Sequence, residues 1–180
     1  ADQITVPRFS TELPEFAEAE KAVQARIDHL MGIKGKKSVD SIHKELGHIM
    51  WEYVGMGRTE EGLKTALKLL KDIRKEFETN LFIPGSTEGV NIELEKALRL
   101  NDFITMGELI AYDALNRNES CGGHFREEYQ TEEGEAKRDD ENYFYVSCWE
   151  YQGSDDVAPV LYKEPLVYEA IKVQTRNYKS

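Results

Sequence analysis

The side chains best suited to chemistry lie close together in one stretch, Glu119-Ser-Cys-Gly-Gly-His-Phe-Arg126, with Arg138-Asp139-Asp140 shortly after it. Histidine, arginine and carboxylate groups side by side favour charge-assisted hydrogen bonds. Two adjacent glycines let the backbone turn tightly or approach another surface closely. The pattern allows two interpretations that the residues alone do not separate. It is either an internal polar cluster that fixes neighbouring elements or a docking surface for a partner.

Serine and cysteine are the candidate nucleophiles of this stretch. Ser120 with His124 would pair a nucleophile with a base, but the Gly-x-Ser-x-Gly elbow is absent because Asn118 stands two residues before the serine. Cys121 is the stronger candidate, since a thiol near His124 and Arg126 lies in the electropositive setting that activates cysteine. The favoured alternative is an unreactive thiol that is buried or lies at an interface. We therefore expect no catalytic residue in this chain.

Neither a metal site nor a nucleotide site is predicted. His43 and His48 are five residues apart, not the four that place two ligands on one helical face, and the chain has no Cys-x-x-Cys motif. Gly55-Met-Gly57 lacks the third glycine of a dinucleotide fingerprint and follows a helical pattern where a strand is required. We expect no cofactor to be held by this chain.

Four segments with helical periodicity position the polar stretch. Apolar residues recur in them at three- and four-residue steps, which places those residues on one face of each helix. Ser38 and Thr59 are typical N-cap residues, and Asn91 starts the longest segment. Short connections between amphipathic helices predict an antiparallel bundle. The segments run over residues 15–30, 38–53, 59–77 and 91–116.

The C-terminal part of the chain is predicted to form a small sheet. It is rich in aromatic and β-branched residues and is interrupted by turn residues, which is typical of short strands. Tyr143, Trp149 and Val167 are the residues expected to tie these strands to the bundle. The predicted strands lie within residues 143–151, 157–162 and 166–173.

The predicted fold is mainly α. It is an antiparallel bundle of three to four helices, similar to a spectrin repeat, followed by a small C-terminal antiparallel β segment. A chain of 180 residues is long enough for one domain with its own core. We expect residues 1–180 to form a single domain, with the bundle at about 12–118, the polar loop at 119–142 and the β segment at about 143–175.

Composition restricts the possible partners and the compartment. The net charge of −11 argues against nucleic acid, because phosphate binding needs clustered Lys and Arg. No apolar run approaches the roughly 20 residues of a membrane span, and no secretory signal is evident. The two cysteines, Cys121 and Cys148, are far apart in sequence and favour a reducing, cytoplasmic setting over a disulfide framework.

The sequence resembles the flavoprotein subunits of succinate dehydrogenase and fumarate reductase. The family's usual form of the polar stretch is Glu-Ser-Arg-Gly-Ala-His-x-Arg-x-Asp, followed by Arg-Asp-Asp. The segment from His43 to Leu63 is similar to the family's bundle segment, in which a Met-Trp or similar pair precedes Val-Gly and an Arg. The segment from Leu98 to Arg117 is similar to its long helix entering the motif. The resemblance covers most of the chain.

This resemblance implies a piece of a larger redox protein. In the family, an FAD-binding domain comes first, then a capping domain, then a helical domain with a C-terminal β segment. The implied reaction interconverts succinate and fumarate, with hydride passing through FAD in the full-length subunit. Electrons then pass to an iron–sulfur subunit and a membrane cytochrome b subunit at the cytoplasmic face of the inner membrane. The family's flavin contacts and its proton-donating Arg lie upstream of this region.

The resemblance assigns a domain-junction role to the matching residues and no catalytic role. The chain departs from the family pattern at Cys121, where the family has Arg, and at Gly123, where it has Ala. The insert at residues 130–136 is also longer and more acidic than usual, which indicates a distinct branch of the same family. The residues expected at the domain interface are Glu119, Ser120, Gly122, His124, Arg126, Arg138 and Asp139.

Two other functions remain open at this level. The C-terminal helical domain of L-aspartate oxidase, a related flavoenzyme without an iron–sulfur subunit, looks similar. Arg138-Asp139-Asp140 and the aromatic segment from Tyr143 favour the succinate and fumarate enzymes. A stand-alone helical interaction module is the remaining alternative, since composition and bundle pattern alone permit it.

Overall fold

The computed structural model describes residues 10–154 and 157–174. These residues form a helical bundle followed by a small antiparallel β segment, as predicted, although the segment has two strands and not three. The helices are α1 (Pro14–Gly32), α2 (Val39–Tyr53), α3 (Glu60–Asn80), α4 (Ile92–Asn116) and α5 (Asp140–Tyr143). The strands are β1 (Lys37–Ser38), β2 (Gly57–Arg58), β3 (Leu81–Phe82), β4 (Phe125–Arg126), β5 (Tyr145–Glu150) and β6 (Val160–Pro165).

Local capping chemistry sets where the three main helices begin. The Ser38 side chain accepts a hydrogen bond from the Ser41 N–H at the start of α2. The Thr59 side chain accepts from the Gly62 N–H at the start of α3, and the Asn91 side chain accepts from the Leu94 N–H at the start of α4. Each cap satisfies a backbone donor that the first helical turn leaves unpaired, which contributes about 1 kcal/mol. The predicted helix starts at Ser38, Thr59 and Asn91 are confirmed.

The core lies between α2, α3 and α4, which run antiparallel in sequence order. Each contributes one apolar stripe, and the stripe of α4 contacts both of the other helices. Burial of these side chains stabilises the bundle by removing apolar surface from water. The fully buried members from these helices and the connection after α3 include Val39, Ile42, Leu63, Ala66, Leu70, Leu81, Ala97, Leu100, Ile104 and Ala111.

Helix α1 packs against the bundle only with its C-terminal half. Leu30 is buried and Ile27 contacts the core, whereas Phe16 and Val23 are 50% and 59% exposed. Arg26 donates to the carbonyl of Leu98 on α4 near this contact. The predicted apolar face of α1 is therefore buried only at its C-terminal end, because α4 covers only the last turns of the helix.

One end of the bundle is closed by backbone pairing and apolar packing. Strand β1 pairs with β3 in parallel, with Lys37 beside Leu81. The chain comes so close here that a Cβ added to Gly35 would lie 1.9 Å from the carbonyl carbon and oxygen of Asn80. Val39 and Leu81 are buried beneath the pair. We call this region, residues 35–39 and 80–83, the apolar end.

The hairpin of β5 and β6 packs its inner face against α4. Trp149 Nε1 donates to Asp113 Oδ1 at 2.8 Å, and its ring meets Tyr112 edge to face. The predicted third strand is wrong, because residues 166–173 form no strand and Val167 is 83% exposed. A strand needs a paired neighbour along its length to satisfy its backbone groups, whereas in the described part of the chain this segment is paired only at Leu166, whose N–H donates to the Phe144 carbonyl. Trp149, not Val167, attaches the sheet.

No helix in the described ranges is both long enough and apolar enough to cross a membrane.

Candidate functional site at the polar end of the bundle

The predicted polar stretch folds over the opposite end of the bundle, where the α2–α3 turn and the end of α4 meet. Strand β2 in the turn pairs in parallel with β4 in the loop, with Gly57 beside Phe125 and Arg58 beside Arg126. The Glu127 N–H extends this pairing by donating to the Arg58 carbonyl at 2.8 Å. We call this region the polar end. Its polar cluster consists of Arg58, Arg117, Glu119, Ser120, His124, Arg126 and Glu128.

Arg126 is fully buried and caps the C-terminus of α4. Its Nη1 donates to the carbonyl oxygens of Ala114 at 3.1 Å and Leu115 at 3.4 Å, and to Asn118 Oδ1 at 3.4 Å. Those carbonyls have no partner within the helix, so the guanidinium satisfies them and matches the negative end of the helix dipole. The guanidinium also lies over the Tyr129 ring, 5.4 Å from its centroid.

Ser120 is fully buried and closes the loop back on itself. Its Oγ donates to the Arg126 carbonyl at 3.1 Å and accepts from the Arg126 N–H at 2.8 Å. The Ser120 N–H donates to the Lys137 carbonyl at 2.9 Å, which joins the start of the loop to its end. The Ser120 hydroxyl both donates to and accepts from the Arg126 backbone. It therefore stabilises the loop and is not free to act as a nucleophile.

Arg117 and Glu119 join the bundle to the segment that enters the hairpin. Arg117 Nη1 donates to Glu119 Oε1 at 2.7 Å, and its Nη2 donates to the Tyr145 carbonyl at 3.0 Å. The other oxygen of Glu119 accepts from the Asp139 N–H at 2.9 Å. The Arg117 guanidinium also lies over the Tyr143 and Tyr145 rings, 5.7 Å and 5.1 Å from their centroids. The buried carboxylate of Glu119 thus holds both the Arg117 side chain and the Asp139 backbone in place.

His124 bridges the α2–α3 turn and the end of α4. Arg58 Nη1 lies 2.9 Å from His124 Nδ1, and His124 Nε2 lies 2.9 Å from the Arg117 carbonyl oxygen. An arginine is always protonated and can only donate. Nδ1 of His124 must therefore be the acceptor and Nε2 must carry the proton, which fixes a neutral imidazole. Arg58 Nε is also engaged and donates to the Gly55 carbonyl at 2.7 Å.

The surroundings of His124 reinforce this neutral form. Burial lowers the pKa of His124 below its ordinary value, and the hydrogen bond to the Arg117 carbonyl works in the opposite direction. The positive charges of Arg58, Arg126 and Arg117 lower the pKa of His124 further. A histidine with such a pKa stays uncharged at neutral pH, so it serves here as a hydrogen-bonding bridge and not as a proton donor.

Glu128 connects the loop to the start of α3. Its carboxylate accepts from the Glu60 N–H in the first turn of the helix and from Arg126 Nε at 3.1 Å. Burial alone would raise the pKa of Glu128, but the hydrogen bonds from the backbone N–H groups of Glu60 and Glu128 and from Arg126 lower it below the ordinary value. A charged carboxylate at a helix N-terminus is favourable because it meets unpaired N–H groups and the positive end of the dipole.

The tip of the loop is a tight turn from Cys121 to His124. The Cys121 N–H donates to the His124 carbonyl at 2.8 Å, and the His124 N–H donates back at 3.1 Å. Gly122 has φ of +60°, a conformation that favours glycine. The Cys121 side chain is exposed, so it is not buried within this chain, and an interfacial position stays a prediction. Cys121 lies at the solvent-exposed surface of the turn, next to the exposed Gly122 and Gly123.

Arg138 and Asp139 lie beside the polar cluster. Arg138 Nε donates to Asp140 Oδ1 at 3.0 Å, and its Nη1 donates to the Gln174 carbonyl. The hydrogen bond and charge of Asp140 raise the pKa of Arg138, while burial acts the other way. Asp139 caps the short helix α5 by accepting from the Asn142 N–H at 3.2 Å. Arg138 and Asp139 thus fix the start of α5, the short helix that leads into the hairpin.

The structure thus unites five of the seven expected junction residues in one loop, and Asp139 joins them through its N–H bond to Glu119. Glu119, Ser120 and Arg126 are buried within the chain, which makes the internal-cluster interpretation correct for their side chains. Sequence reasoning did not assign Arg58, Arg117 or Glu128 to this site. No local signal marks Arg58 as a partner of the polar loop, because it lies on the α2–α3 turn, more than sixty residues before His124.

The described residues do not fit a nucleotide cofactor. A dinucleotide site needs a strand, a glycine-rich turn and a helix whose N-terminus faces the phosphates. Gly55 instead follows the C-terminus of α2, where a Cβ would lie 2.9 Å from the Trp51 carbonyl oxygen, so this glycine serves helix packing. In residues 10–154 and 157–174, His, Cys, Asp and Glu side chains form no group of three that could hold a metal ion.

Fold and cluster together define a helical bundle domain whose polar end is closed by a hydrogen-bonded loop and a C-terminal hairpin. The sequence model of the family described as "Fumarate reductase flavoprotein C-term" matches residues 43–178, well over half of the chain. The chain belongs to this family, so the resemblance stated from the sequence is confirmed. The match contains the α2–α3 turn, the whole polar loop and the hairpin.

Individual relatives agree with this assignment. The fumarate reductase flavoprotein subunit of Proteus vulgaris is 29% identical over 147 residues, which cover 79% of this chain and 24% of that protein. A chloroplastic L-aspartate oxidase of Nicotiana tabacum is 37% identical over 88 residues, which cover 49% of this chain and 13% of that protein. The chain therefore spans at most about a quarter of the length of these relatives.

A solved structure of quinol–fumarate reductase with menaquinol molecules has the same fold. The superposition has a TM-score of 0.74 at 22% identity and covers 91% of this chain and 27% of the other. The predicted fold class, a mainly α bundle with a small C-terminal antiparallel β segment, is confirmed.

Proposed function

We propose that this chain is the non-catalytic C-terminal scaffold domain of an FAD-dependent flavoprotein subunit that interconverts succinate and fumarate. Family membership and the fumarate reductase relatives support the reaction class. FAD belongs to the parent subunit and is bound by its preceding domain. The domain's role is to hold a fixed surface against that FAD-binding domain and against the iron–sulfur subunit.

The observation that carries this proposal is how the polar cluster uses its chemistry. The Ser120 hydroxyl is bonded in both directions to the Arg126 backbone. Arg126 is bonded to the end of α4, and the neutral His124 ring bridges Arg58 and Arg117. The Ser120 hydroxyl and the His124 ring, which would be the candidates for catalysis, thus both form hydrogen bonds within the chain. This arrangement favours a structural role over an acid–base role.

The junction residues divide into two groups under this proposal. Glu119, Ser120 and Arg126 act from inside, because their side chains are buried in the chain. Gly122 is exposed, and His124, Arg138 and Asp139 are partly exposed, so these four form the outer surface of the junction. In the parent complex, this end would face the FAD-binding domain, and the enzyme would work with a membrane cytochrome b subunit at the cytoplasmic face of the inner membrane.

A direct test uses the purified 180-residue chain. The chain is expected to be folded, to show no flavin absorbance near 450 nm after reconstitution with FAD, and to reduce no electron acceptor with succinate. A control is the natural polypeptide that contains this sequence, which is expected to carry FAD. Turnover or stoichiometric flavin in the 180-residue chain would overturn the proposal.

The second candidate is the equivalent domain of an L-aspartate oxidase, favoured by the tobacco relative at 37% identity. The two candidates differ in substrate and in their need for an iron–sulfur subunit. Assaying the natural polypeptide with L-aspartate and with succinate separates them. Oxidation of L-aspartate without an iron–sulfur partner would replace the succinate and fumarate assignment.

A further inference from the structure

Arg58 is an exception among the arginines of residues 10–154 and 157–174. Each of the others lies within 4 Å of a carboxylate oxygen, whereas no carboxylate in these ranges lies that close to Arg58. The chain has 34 acidic and 23 basic residues, so an arginine without an acidic partner is unexpected. The paired arginines are Arg26, Arg74, Arg99, Arg117, Arg126 and Arg138.

The Arg58 side chain is held in one orientation by neutral acceptors. Its Nε donates to the Gly55 carbonyl at 2.7 Å, and its Nη1 lies 2.9 Å from His124 Nδ1. A carbonyl oxygen and a neutral imidazole accept hydrogen bonds without cancelling the positive charge of the guanidinium. A side chain that is already fixed loses little conformational entropy when a ligand binds to it.

The remaining nitrogen of Arg58, Nη2, reaches solvent. In the described part of the chain it has no hydrogen-bond partner, but it is not enclosed, unlike Arg126 Nη2, which is both enclosed and without a partner. The neighbouring turn leaves room beside His124, because a Cβ at Gly122 or Gly123 would meet no described atom within 4 Å. Arg58 Nη2 therefore offers two N–H donors to an acceptor from outside the chain.

The local charge favours an anion as that acceptor. Three arginines around His124 lower its pKa by their positive charge. Two of them, Arg117 and Arg126, are each balanced by a paired glutamate. Burial lowers the pKa of the third, Arg58, and the more distant charge of Asp113 opposes this effect. An anion at Arg58 would therefore meet a positive charge that no adjacent carboxylate balances.

We propose that Arg58 Nη2 is the main contact of a binding site for a small carboxylate anion. A guanidinium matches a carboxylate in charge and in its planar arrangement of donors. Arg58 is half-buried, so a small anion reaches it more easily than a flat surface does. The site does not depend on the proposed reaction, because it follows from the contacts of Arg58 alone. One charge-assisted contact predicts weak binding, with a dissociation constant on the order of 10 mM.

Labelling of the 180-residue chain with phenylglyoxal, which modifies accessible guanidinium groups, tests the site at constant ionic strength. Mass spectrometry measures the labelling rate of each arginine. Succinate at about 30 mM should slow the labelling of Arg58 about fourfold, given the expected dissociation constant. Arg99, which is exposed and paired with Glu95 on α4, is the matched control and should be unaffected. Succinamide, the uncharged analogue, should protect neither arginine.

Three results of this labelling would overturn the site. Succinate could protect Arg58 and Arg99 equally, which would show a general effect of the anion. It could leave the labelling of Arg58 unchanged. Arg58 could also resist labelling without succinate, which would show that Nη2 is closed to ligands.

The same labelling in the natural polypeptide separates a free anion from a carboxylate of another protein segment. Protection of Arg58 by added succinate there supports a site for a free anion. Protection that is already complete without succinate would mean that a protein carboxylate occupies Arg58, and the proposed site would be wrong.

Amide NMR of the 180-residue chain gives a second measurement. Succinate should shift the signals of Gly122, Gly123 and His124 in a saturable way, and Arg58→Gln should abolish these shifts. The signal of Gly89, at the opposite end of the bundle, should stay unchanged in both proteins. Shifts that persist in a folded Arg58→Gln variant would contradict the assignment. If that variant does not fold, the labelling of the unmodified chain decides alone.

Discussion

At each end of the bundle, a helix–helix turn is joined to a distant segment by a two-residue parallel strand pair. The apolar end joins β1 to β3 over buried Val39 and Leu81, with the backbones in direct contact at Gly35. The polar end joins β2 to β4 over a buried arginine and a neutral histidine. The two ends differ in what is buried beneath the strand pair: apolar side chains at one end, with the Lys37–Glu45 and Lys37–Glu76 ion pairs nearer the surface, and hydrogen-bonded polar side chains at the other. The two ends should therefore respond to different perturbations.

The largest effect is expected at the polar end, from Arg126→Ala. This change removes the groups that satisfy the last carbonyls of α4 and leaves a cavity in a fully buried position. The free energy of unfolding of the isolated chain should fall by about 3 kcal/mol, because buried acceptors lose their partner and a large side chain is deleted. Urea denaturation followed by far-UV circular dichroism measures it.

Arg138→Ala is the matched control for that experiment. Arg138 pairs with the exposed Asp140, and surface ion pairs contribute no more than about 1 kcal/mol. A similar loss in both variants would mean that burial of Arg126 is not what stabilises the polar end, and the contrast between the ends would weaken.

The next largest effect is expected at the apolar end, from Gly35→Ala. The added Cβ would lie 1.9 Å from the Asn80 carbonyl, and backbone atoms cannot yield as a flexible side chain does. The β1–β3 pair must therefore open, which should cost about 2–3 kcal/mol. The loss should be nearly the same at pH 5 and pH 7, because the hydrogen bonds from Asn80 and Lys37 hold the pKa of Glu76 below its ordinary value and keep this carboxylate charged at both pH values. A loss that depended on pH would show that the two ends are coupled.

The contrast between the ends also shows what sequence can predict. Helix starts at Ser38, Thr59 and Asn91 were predictable because capping and periodicity are local. Glu119, Ser120 and Arg126 were found because polar residues beside two glycines are conspicuous. The two short parallel pairs were not predictable, since two residues carry no periodicity and only tertiary packing brings them together.

The partners of the predicted site were missed for the same reason. Arg58 lies more than sixty residues before His124, and nothing local marks the two as neighbours. The error at Val167 and the exposed apolar face in the N-terminal half of α1 have a related cause. Apolar spacing shows that a face is available for burial, but it does not show whether this chain or a partner covers it.

An intermediate effect is expected from pH through His124. Its pKa lies below the ordinary value near 6.5 in the folded chain, so the unfolded chain takes up this proton first as pH falls. The contribution to stability is present above pH 6.5 and is lost as pH falls toward the lowered pKa. Protonation of His124 would also place a proton on Nδ1, so that Nδ1 could no longer accept the hydrogen bond from Arg58 Nη1.

His124→Gln removes this titration while keeping one acceptor and one donor. Between pH 7 and pH 5, the free energy of unfolding of the variant should fall less steeply than that of the unmodified chain. His48→Gln, at an exposed histidine on α2, should leave the steepness unchanged. Identical pH profiles for His124→Gln and the unmodified chain would contradict the neutral-bridge assignment.

The smallest effect, and the only gain, is expected from Gly47→Ala in the middle of α2. A Cβ at Gly47 would meet no atom within 4 Å, so the same substitution that should break the apolar end finds open space here. Alanine restricts the unfolded chain and favours the helix, which should raise the free energy of unfolding by about 0.5–1 kcal/mol. Thermal melts of Gly47→Ala and Gly35→Ala, made side by side, compare one chemical change in two settings. A loss at Gly47 would mean that the outer face of α2 is more crowded in solution than the open space around its backbone indicates, and the contrast with Gly35 would then rest on the degree of crowding and not on its presence.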